Sequence, residues 1–290
     1  MTRISVDPSR RIGMKTDFFI GTLGQKLHYR AWESAGSPKA HIVIVHGYAE
    51  HGDRYAELAG SLSSQGFYIW AADHYGHGQS AGLRADVPRF ELFAEDLSKF
   101  IDQVVLPETK NTPLFLYGHS MGGAIALLYS LEHQENLRGV ILSGPLLRPG
   151  RQSSSLEKKA AVILKKILPT LPFRPFSATL LSHDRSIVRA YRADPLVYNG
   201  KMRLRMGAEL LRVDELLPDG RLADLKLPLL LLHGGADAVV PPGDSEQLYA
   251  AAGSSDKTLR IFDGAYHEIH NESCKEELME LLLSWLTARL

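Results

Sequence analysis

Short apolar runs alternate with amphipathic segments along most of the chain. The first run, residues 41–46, is rich in β-branched side chains and ends at a glycine, which is typical of a strand buried on both faces. Similar runs follow at residues 67–72, 114–118, 139–143, 229–233 and 259–262. Strands that alternate with helices predict a mostly parallel central sheet flanked by helices, the α/β class.

The segments between these strands have helical spacing. Helices are predicted over residues 54–65, 89–105, 120–131 and 275–289. Before the first buried strand, residues 17–32 form two extended segments separated by Gly21 and Gly24. Paired glycines suit a hairpin turn, so we expect an antiparallel hairpin at the edge of the sheet.

The alternation stops after Pro145. Prolines at positions 149, 169, 172, 175 and 195 divide the following segment into short pieces. We therefore predict a single α/β domain over residues 1–290, with a helical cap inserted at about residues 145–208.

The composition is that of an ordinary globular protein. The 290 residues are 44% hydrophobic and 23% charged with a formal net charge of zero, so nucleic acid is not an expected partner. Cys274 is the only cysteine, and no apolar stretch resembles a secretion signal or a bilayer span. These features predict a cytoplasmic location, with any membrane contact peripheral.

One serine lies between a predicted strand and a predicted helix. The apolar run 114–118 leads directly into Gly118-His119-Ser120-Met121-Gly122, and small residues follow. Such a turn strains the serine backbone and needs neighbours without side chains, which the two glycines provide. We predict that Ser120 is the nucleophile of a serine hydrolase and that the Met121 N–H stabilises the oxyanion at the helix N-terminus.

A serine hydroxyl needs a base, and a histidine and an acid must follow it in this fold class. His267 and His270 both follow the last predicted strand. His267 is preferred because it is nearer the strand end, and His270 fits a surface loop histidine better. Asp237 follows the strand at residues 229–233 and is the preferred acid. Weaker candidates for the acid are Asp219, Asp244 and Asp263.

The loop after the first buried strand is expected to supply the second oxyanion donor. Gly47 allows close backbone approach there, and the Tyr48 N–H is the preferred donor, although a plain turn glycine explains Gly47 equally well. Gly47, His51 and His119 are assigned to substrate binding or to bracing of the site.

Several histidines cluster in the two loops that follow the first two buried strands. They are His46, His51, His74 and His77. Their spacings match no familiar metal-binding signature, and serine chemistry needs no metal. We therefore predict no metal and no cofactor, and we expect these side chains to brace the loops through hydrogen bonds.

Four motifs occur in order along the chain. They are HGYAEH at residues 46–51, DHYGHGQS at 73–80, GHSMGG at 118–123 and GAYHE at 264–268. Together they resemble the monoacylglycerol lipases and the related lysophospholipase-like α/β-hydrolases over nearly the whole chain.

The resemblance implies a Ser120, Asp237 and His267 triad, an oxyanion hole at Tyr48 and Met121, and a cap over an apolar acyl pocket. This chain departs from the family at Tyr48, where the residue is often smaller, and its cap aligns with no motif. Both departures leave the substrate open.

The expected reaction is hydrolysis of a monoacylglycerol, a lipid ester, to fatty acid and glycerol through an acyl-enzyme. A lysophospholipase or a broad-specificity carboxylesterase would use the same chemistry with a different pocket. A non-hydrolytic ligand receptor on the same fold is the alternative of another class.

The predicted cap is strongly basic. Between Arg148 and Arg205 there are 13 Lys or Arg against three acidic residues, a net +10, and the rest of the chain has 20 against 30, a net −10. Apolar residues recur there at helical spacing, at Leu156, Ala160, Ile163, Leu164 and Ile167. Lysines fall on the opposite face, at positions 158, 159, 165 and 166.

Two interpretations of this helix stay open. Its apolar face could contact an anionic membrane and take a lipid ester from it. Alternatively the apolar face packs on the domain, so that Ile163 and Leu164 line the pocket and the lysines are solvated.

Overall fold

A twisted eight-stranded sheet forms the centre of the protein. The structure is a computed structural model that describes residues 13–149, 161 and 163–290. The strands of the described residues are β1 (Met14–Ile20), β2 (Lys26–Trp32), β3 (Ala40–Val45), β4 (Phe67–Ala72), β5 (Leu114–His119), β6 (Gly139–Ser143), β7 (Pro172–Arg174), β8 (Met202–Arg203), β9 (Leu229–Gly234) and β10 (Lys257–Phe262). β7 and β8 form a separate two-stranded sheet, and the other eight strands form the large sheet. The order across the large sheet is β1-β2-β4-β3-β5-β6-β9-β10.

Pairing in this sheet is antiparallel only at one edge. β1 pairs with β2, and β2 with β4, in antiparallel register, whereas every neighbouring pair from β4 to β10 is parallel. The predicted mostly parallel sheet and its edge hairpin are confirmed.

Helices connect the strands. They are α1 (Ala56–Ser64), α2 (Glu91–Phe100), α3 (Leu106–Thr109), α4 (Met121–Glu132), α5 (Arg185–Ala193), α6 (Leu204–Leu211), α7 (Val213–Leu216), α8 (Asp219–Leu222), α9 (Gly243–Ala251) and α10 (Lys275–Thr287). Residues 163–167 are also helical. A wider π turn, Ile101–Val105, joins α2 to α3, so the helix predicted over residues 89–105 is divided.

Two apolar layers cover the sheet because successive side chains of a buried strand point to opposite faces. Along β3, Val43 and Val45 belong to the layer that contains α2 and α4. Ile42 and Ile44 belong to the opposite layer, which contains α1 and α10. A strand with apolar residues at every position is therefore buried on both sides, as its sequence predicts.

The residues between β6 and β9 form an addition to this sheet, since the two strands are direct parallel neighbours. The addition contains the short antiparallel pair β7 and β8, which the sequence analysis did not predict. It has a small apolar core of its own, made of Ala178, Leu181, Val188, Tyr191 and Val197. Residues 150–160 and 162 lie outside the described residues, so the bounds of the cap stay a prediction.

Helix α4 approaches the end of β3 very closely. A Cβ added to Gly122 would lie 2.0 Å from the Val45 carbonyl oxygen and 2.5 Å from that of His46. Only glycine permits this approach, which places the N-terminus of α4 against the loop that follows β3.

The variant Gly122→Ala is expected to lower the free energy of unfolding by about 3 kcal/mol, because a methyl group there collides with backbone that cannot move aside. Gly60→Ala is the matched control, since nothing lies within 4 Å of the added Cβ in α1. Its expected effect is a stabilisation of about 0.5–1 kcal/mol. Urea denaturation followed by circular dichroism measures both, and equal stabilities for the two variants would contradict the close approach.

Candidate active site

Ser120 occupies the turn between β5 and α4 in a backbone conformation that is rare for residues other than glycine. Its φ is 54° and its ψ is −121°. Three backbone hydrogen bonds hold it there: Ser120 N donates to Ser143 O at 3.0 Å, and Ser120 O accepts from Gly123 N at 2.9 Å and from Leu146 N at 3.0 Å. Strain of this kind persists only where the surroundings fix it, and it is common at functional sites.

An aspartate and a histidine form a buried pair at the ends of β9 and β10. His267 Nδ1 donates to Asp237 Oδ2 at 2.6 Å. Asp237 Oδ1 accepts from the backbone N–H of Val239 at 2.8 Å and of Val240 at 2.9 Å. With Nδ1 committed to the carboxylate, the other ring nitrogen of His267 is left to act as a base.

The Asp237 carboxylate stays ionised near neutral pH. Burial by itself would raise its pKa, but hydrogen bonds from His233 and His267 outweigh burial and hold the pKa below its usual range. An ionised carboxylate at this position can stabilise an imidazolium on His267.

Two glycines, Gly144 and Gly47, allow the groups of the site to approach one another closely. Gly144, which follows β6 with a φ of +52°, lies against the pair: a Cβ there would be 3.2 Å from His267 Nδ1 and 3.4 Å from Asp237 Oδ2. The ring of His119, the residue before Ser120, is 4.6 Å from the ring of His267. A Cβ on Gly47 would be 3.3 Å from Ser120 Cβ, so the loop after β3 borders the serine.

Two backbone donors at the site have no acceptor within the described part of the chain. They are the N–H of Met121, the first residue of α4, and the N–H of Tyr48. Free N–H groups at a helix N-terminus bind anions readily.

The Tyr48 side chain packs against the second histidine loop. Its ring meets His77 edge to face with centroids 5.9 Å apart, and its hydroxyl is buried without a partner among the described residues. Tyr48, at which this chain departs from the family pattern, therefore points toward the loop that contains His77.

The clustered histidines make hydrogen bonds between the loops. His74 N donates to His46 Nε2, and His74 Nε2 donates to His46 O, both at 3.0 Å. His51 Nε2 donates to Asp194 Oδ2 at 2.9 Å, which ties the first loop to the end of α5. His119 Nδ1 donates to Ser143 O at 3.0 Å.

Some sequence interpretations need correction. His270 is only 7% exposed and stacks on Tyr55, with ring centroids 4.9 Å apart, so the interpretation as a surface histidine is wrong. The alternative acids contact no histidine: Asp219 pairs with the Arg148 side chain, Asp244 accepts from Arg148 N, and Asp263 is exposed.

Ile163 and Leu164 are exposed, and their place in an acyl pocket stays a prediction. They are 59% and 42% exposed, so the expectation that this apolar face packs on the domain is wrong for these two residues. The reason is Lys165, which turns inward and donates to the buried Glu209. Lys165 is therefore not a solvated lysine. Positions 156 and 158–160 lie outside the described residues.

The sequence analysis assigned no role to three buried charged residues near the site, Glu50, Arg54 and Glu268. The sequence did contain one indication of their role, since Glu50 and Glu268 lie inside two of the motifs that surround the site. Ionisable residues are rarely buried without partners, but local sequence does not show the partners.

The fold and this arrangement define a serine hydrolase of the α/β-hydrolase class. A family model described as serine aminopeptidase, S33, matches residues 36–274. The chain therefore belongs to that family and, within it, to the group that contains the monoglyceride lipases.

Relatives of known name match most of the chain. A monoglyceride lipase of Homo sapiens is 39% identical and covers 86% of this chain and 82% of its own length. A monoacylglycerol lipase of Mycolicibacterium smegmatis is 32% identical, with coverage of 94% and 96%. The crystal structure of the Paleococcus ferrophilus monoacylglycerol lipase aligns with a TM-score of 0.80 at 30% identity, with coverage of 91% and 99%. The chain is a serine ester hydrolase.

Buried histidines are expected to make the folded protein sensitive to acid. Burial is the largest cause that lowers their pKa values below the ordinary 6.5, to about 4 for His41 and His77 and to about 3 for His119. The pKa values of His46, His74 and His270 are also lowered by burial. Because the unfolded chain takes up protons first, the stabilisation is complete above pH 6.5 and is lost as the pH falls toward about 4.

Each such histidine reduces stability by at most about 1.4 kcal/mol per pH unit in this window. Thermal unfolding between pH 7.5 and 4.5 should show a falling midpoint, and His41→Gln should make the fall shallower. The Gln side chain can still accept the hydrogen bond that Trp70 Nε1 donates to His41. His133→Gln, at a partly exposed site, is the control and should not change the slope. A wild-type midpoint that is level over this range would refute the prediction.

Proposed function

We propose that the protein hydrolyses monoacylglycerols to free fatty acid and glycerol through an acyl-enzyme on Ser120. The observation that carries the proposal is the buried hydrogen bond between His267 and Asp237 beside the strained Ser120 backbone. The named relatives support the substrate class, because monoglyceride lipases match this chain over most of its length.

The geometry suits each step of acyl transfer. His267 takes the proton of the Ser120 hydroxyl as the oxygen attacks the ester carbonyl, and Asp237 stabilises the imidazolium that forms. The backbone N–H groups of Tyr48 and Met121 donate to the oxyanion of the tetrahedral intermediate. His267 then gives its proton to the leaving glycerol oxygen, and water hydrolyses the acyl-enzyme with His267 as base.

The other readings of the sequence have less support. A lysophospholipase or a broad-specificity carboxylesterase would use the same residues. The relatives reported above, however, are named as monoglyceride or monoacylglycerol lipases. A receptor that binds without turnover would gain nothing from a strained serine beside an acid–base pair.

Activity should depend on Ser120. The wild-type protein should react with a labelled fluorophosphonate, and Ser120→Ala should abolish both labelling and hydrolysis, because the proposed acyl-enzyme forms on the Ser120 hydroxyl. The catalytic efficiency kcat/KM is measured for monoacylglycerols with chains of 8 to 20 carbons, beside lysophosphatidylcholine and p-nitrophenyl butyrate as the reference ester.

Labelling that persists in Ser120→Ala would rule out Ser120 as the nucleophile. Faster turnover of lysophosphatidylcholine than of every monoacylglycerol would replace the proposed substrate with the lysophospholipid. The highest efficiency on a long-chain monoacylglycerol supports the proposal.

We further propose that the cap contacts the surface of an anionic membrane, from which the substrate is taken. Of the twelve large apolar side chains of the described residues that are two-fifths exposed or more, six lie within residues 163–173: Ile163, Leu164, Ile167, Leu168, Leu171 and Phe173. Four others lie on the edge hairpin, at Met14, Phe18, Ile20 and Leu23. Exposed apolar patches of this kind are typical of sites that bind lipid or protein. No helix among the described residues is long and apolar enough to cross a bilayer.

Exposed basic residues accompany this apolar stretch. Lys166 and Arg174 lie within it or directly beside it, and further exposed basic residues follow at Arg185, Arg189, Arg192 and Lys201. The ion pair between Lys165 and Glu209 fixes the rotation of the segment, so that Ile163 and Ile167 point outward. An apolar face bordered by cations is suited to the headgroup boundary of an anionic bilayer.

Sedimentation with liposomes measures this contact. The wild-type protein should bind vesicles that contain phosphatidylglycerol more strongly than vesicles of phosphatidylcholine alone. Ile167→Glu should weaken binding about tenfold or more, because it removes an exposed apolar side chain that the bilayer would bury and adds a charge that the anionic lipid repels. Ile20→Glu, at an exposed position on edge strand β1, is the matched control and should bind as the wild type does. Equal, negligible binding to both kinds of vesicle would refute membrane contact.

A further inference from the structure

A buried carboxylate–guanidinium–carboxylate group connects the two loops that border Ser120. It consists of Glu50, Arg54 and Glu268, and we name it the Arg54 bridge. Glu50 and Glu268 are almost fully buried, and only about a tenth of the Arg54 side chain is exposed. None of these residues belongs to the proposed triad or donates to the oxyanion.

At one end, the bridge holds the histidine loop. Arg54 donates through Nη1 and Nη2 to the two carboxylate oxygens of Glu268, at 2.6 and 2.8 Å. Glu268 directly follows His267 in the chain. Asn271 Nδ2 also donates to Glu268 Oε2 at 2.7 Å, and Glu268 N donates to Leu181 O at 2.8 Å. A bidentate pair restricts the carboxylate in distance and in orientation.

At the other end, the bridge holds the oxyanion loop. Arg54 Nη1 also donates to Glu50 Oε2. Glu50 Oε1 accepts from Gly47 N at 2.6 Å and from the Tyr55 hydroxyl at 2.7 Å. Gly47 precedes Tyr48, whose N–H is the proposed oxyanion donor. The hydrogen bonds therefore run without interruption from the oxyanion loop to the residue beside His267.

Both carboxylates remain charged in this environment. Burial by itself raises the pKa of Glu50, but the Arg54 charge and the hydrogen bonds from Tyr55 and Gly47 together outweigh burial and lower that pKa to about 2. For Glu268, burial is again opposed by Arg54, and the pKa lies below its usual value. Two buried carboxylates share one guanidinium, so the group has a net charge of −1.

A buried ionic group of this kind contributes little to the net free energy of unfolding. Removing charges from water costs several kcal/mol per ion, and a well-packed apolar cluster of the same volume is often at least as stable. What an apolar cluster does not provide is fixed directionality. Loss of alignment by about 1 Å can lower catalysis about 100-fold.

We propose that Arg54 is a positioning residue, which through Glu50 and Glu268 sets the oxyanion loop and His267 at a fixed separation around Ser120. The inference rests on the proposed triad and deepens it. Neither Arg54 nor its partners need touch the substrate for this role.

Glu268→Gln tests the bridge because it keeps the side-chain shape and removes the charge that Arg54 binds. Active sites are first counted by fluorophosphonate titration, and kcat per titrated site is then measured with p-nitrophenyl butyrate. We expect kcat per site to fall about tenfold with KM within about twofold, and the rate of fluorophosphonate labelling to fall by a similar factor. A residue that only stabilises the fold would lower the number of active sites and the unfolding midpoint, but not kcat per site.

Glu272→Gln is the matched control. Glu272 is buried in the same loop and pairs with His183, at 2.7 Å to the backbone N and 2.9 Å to Nδ1, outside the bridge. Its kcat per site should remain within about twofold of the wild type. Arg54→Lys is the second variant, since it keeps a cation between the carboxylates but lacks the fork that binds both, and it should show the same loss if Glu268→Gln does not fold.

Unchanged kcat per site in Glu268→Gln and Arg54→Lys would overturn the proposal, as would an equal loss in Glu272→Gln. Wild-type labelling and ester turnover test the hydrolase assignment, and the ratio of variant to wild type tests the bridge. The two failures are therefore distinguishable, and a substrate other than a monoacylglycerol leaves the test of the bridge intact.

Discussion

The backbone of Ser120 is the constraint on which the site depends. A positive φ at a residue other than glycine costs about 1–3 kcal/mol, and this cost is offset by hydrogen bonds to Ser143, Gly123 and Leu146. The turn exists because β5 must end and α4 must begin within one residue. It also requires Gly122 to lie against the carbonyl of Val45. The same close approach brings the loop after β3, with its free Tyr48 N–H, beside the serine.

Parallel pairing explains how distant parts of the chain reach that serine. β3, β5, β6, β9 and β10 all run in one direction, so the loops after their carboxyl ends open at the same edge of the sheet. Tyr48, Ser120, Gly144, Asp237 and His267 each follow one of these strands within a few residues. The order of the strands in the sheet, rather than distance along the chain, therefore determines which side chains meet.

Sequence was sufficient for features that depend on local pattern. β4 and β6 have the predicted bounds because each is an apolar run bordered by residues that stop a strand. The order of serine, acid and histidine likewise predicted a contact, and Asp237 and His267 do form a hydrogen bond. The roles assigned to Ser120, Asp237 and His267 in the reaction stay proposals.

Features that depend on a distant partner could not be predicted in this way. β7 and β8 are three and two residues long, too short for any period, and each depends on the other for its hydrogen bonds. Lys165 has the local pattern of a solvated lysine, and only the buried Glu209, 44 residues away, turns it inward. By sequence His270 fits a surface loop histidine, whereas in the structure it is buried and stacks on Tyr55.

The cap segment has two parts with different contacts. One part of it exposes Ile163, Ile167 and Phe173 beside basic residues. Another part reaches the catalytic loops: Tyr191 of α5 lies 4.6 Å below the Arg54 guanidinium, and Tyr198 N donates to Ala49 O at 2.8 Å. Because these contacts are made to charged and backbone groups that themselves surround Ser120, this segment contributes to the geometry of the loops around the serine. The internal charge asymmetry follows the same division, since ion pairs join the basic segment to acidic residues of the rest of the chain: Lys165 pairs with Glu209, and Arg205 pairs with Asp86.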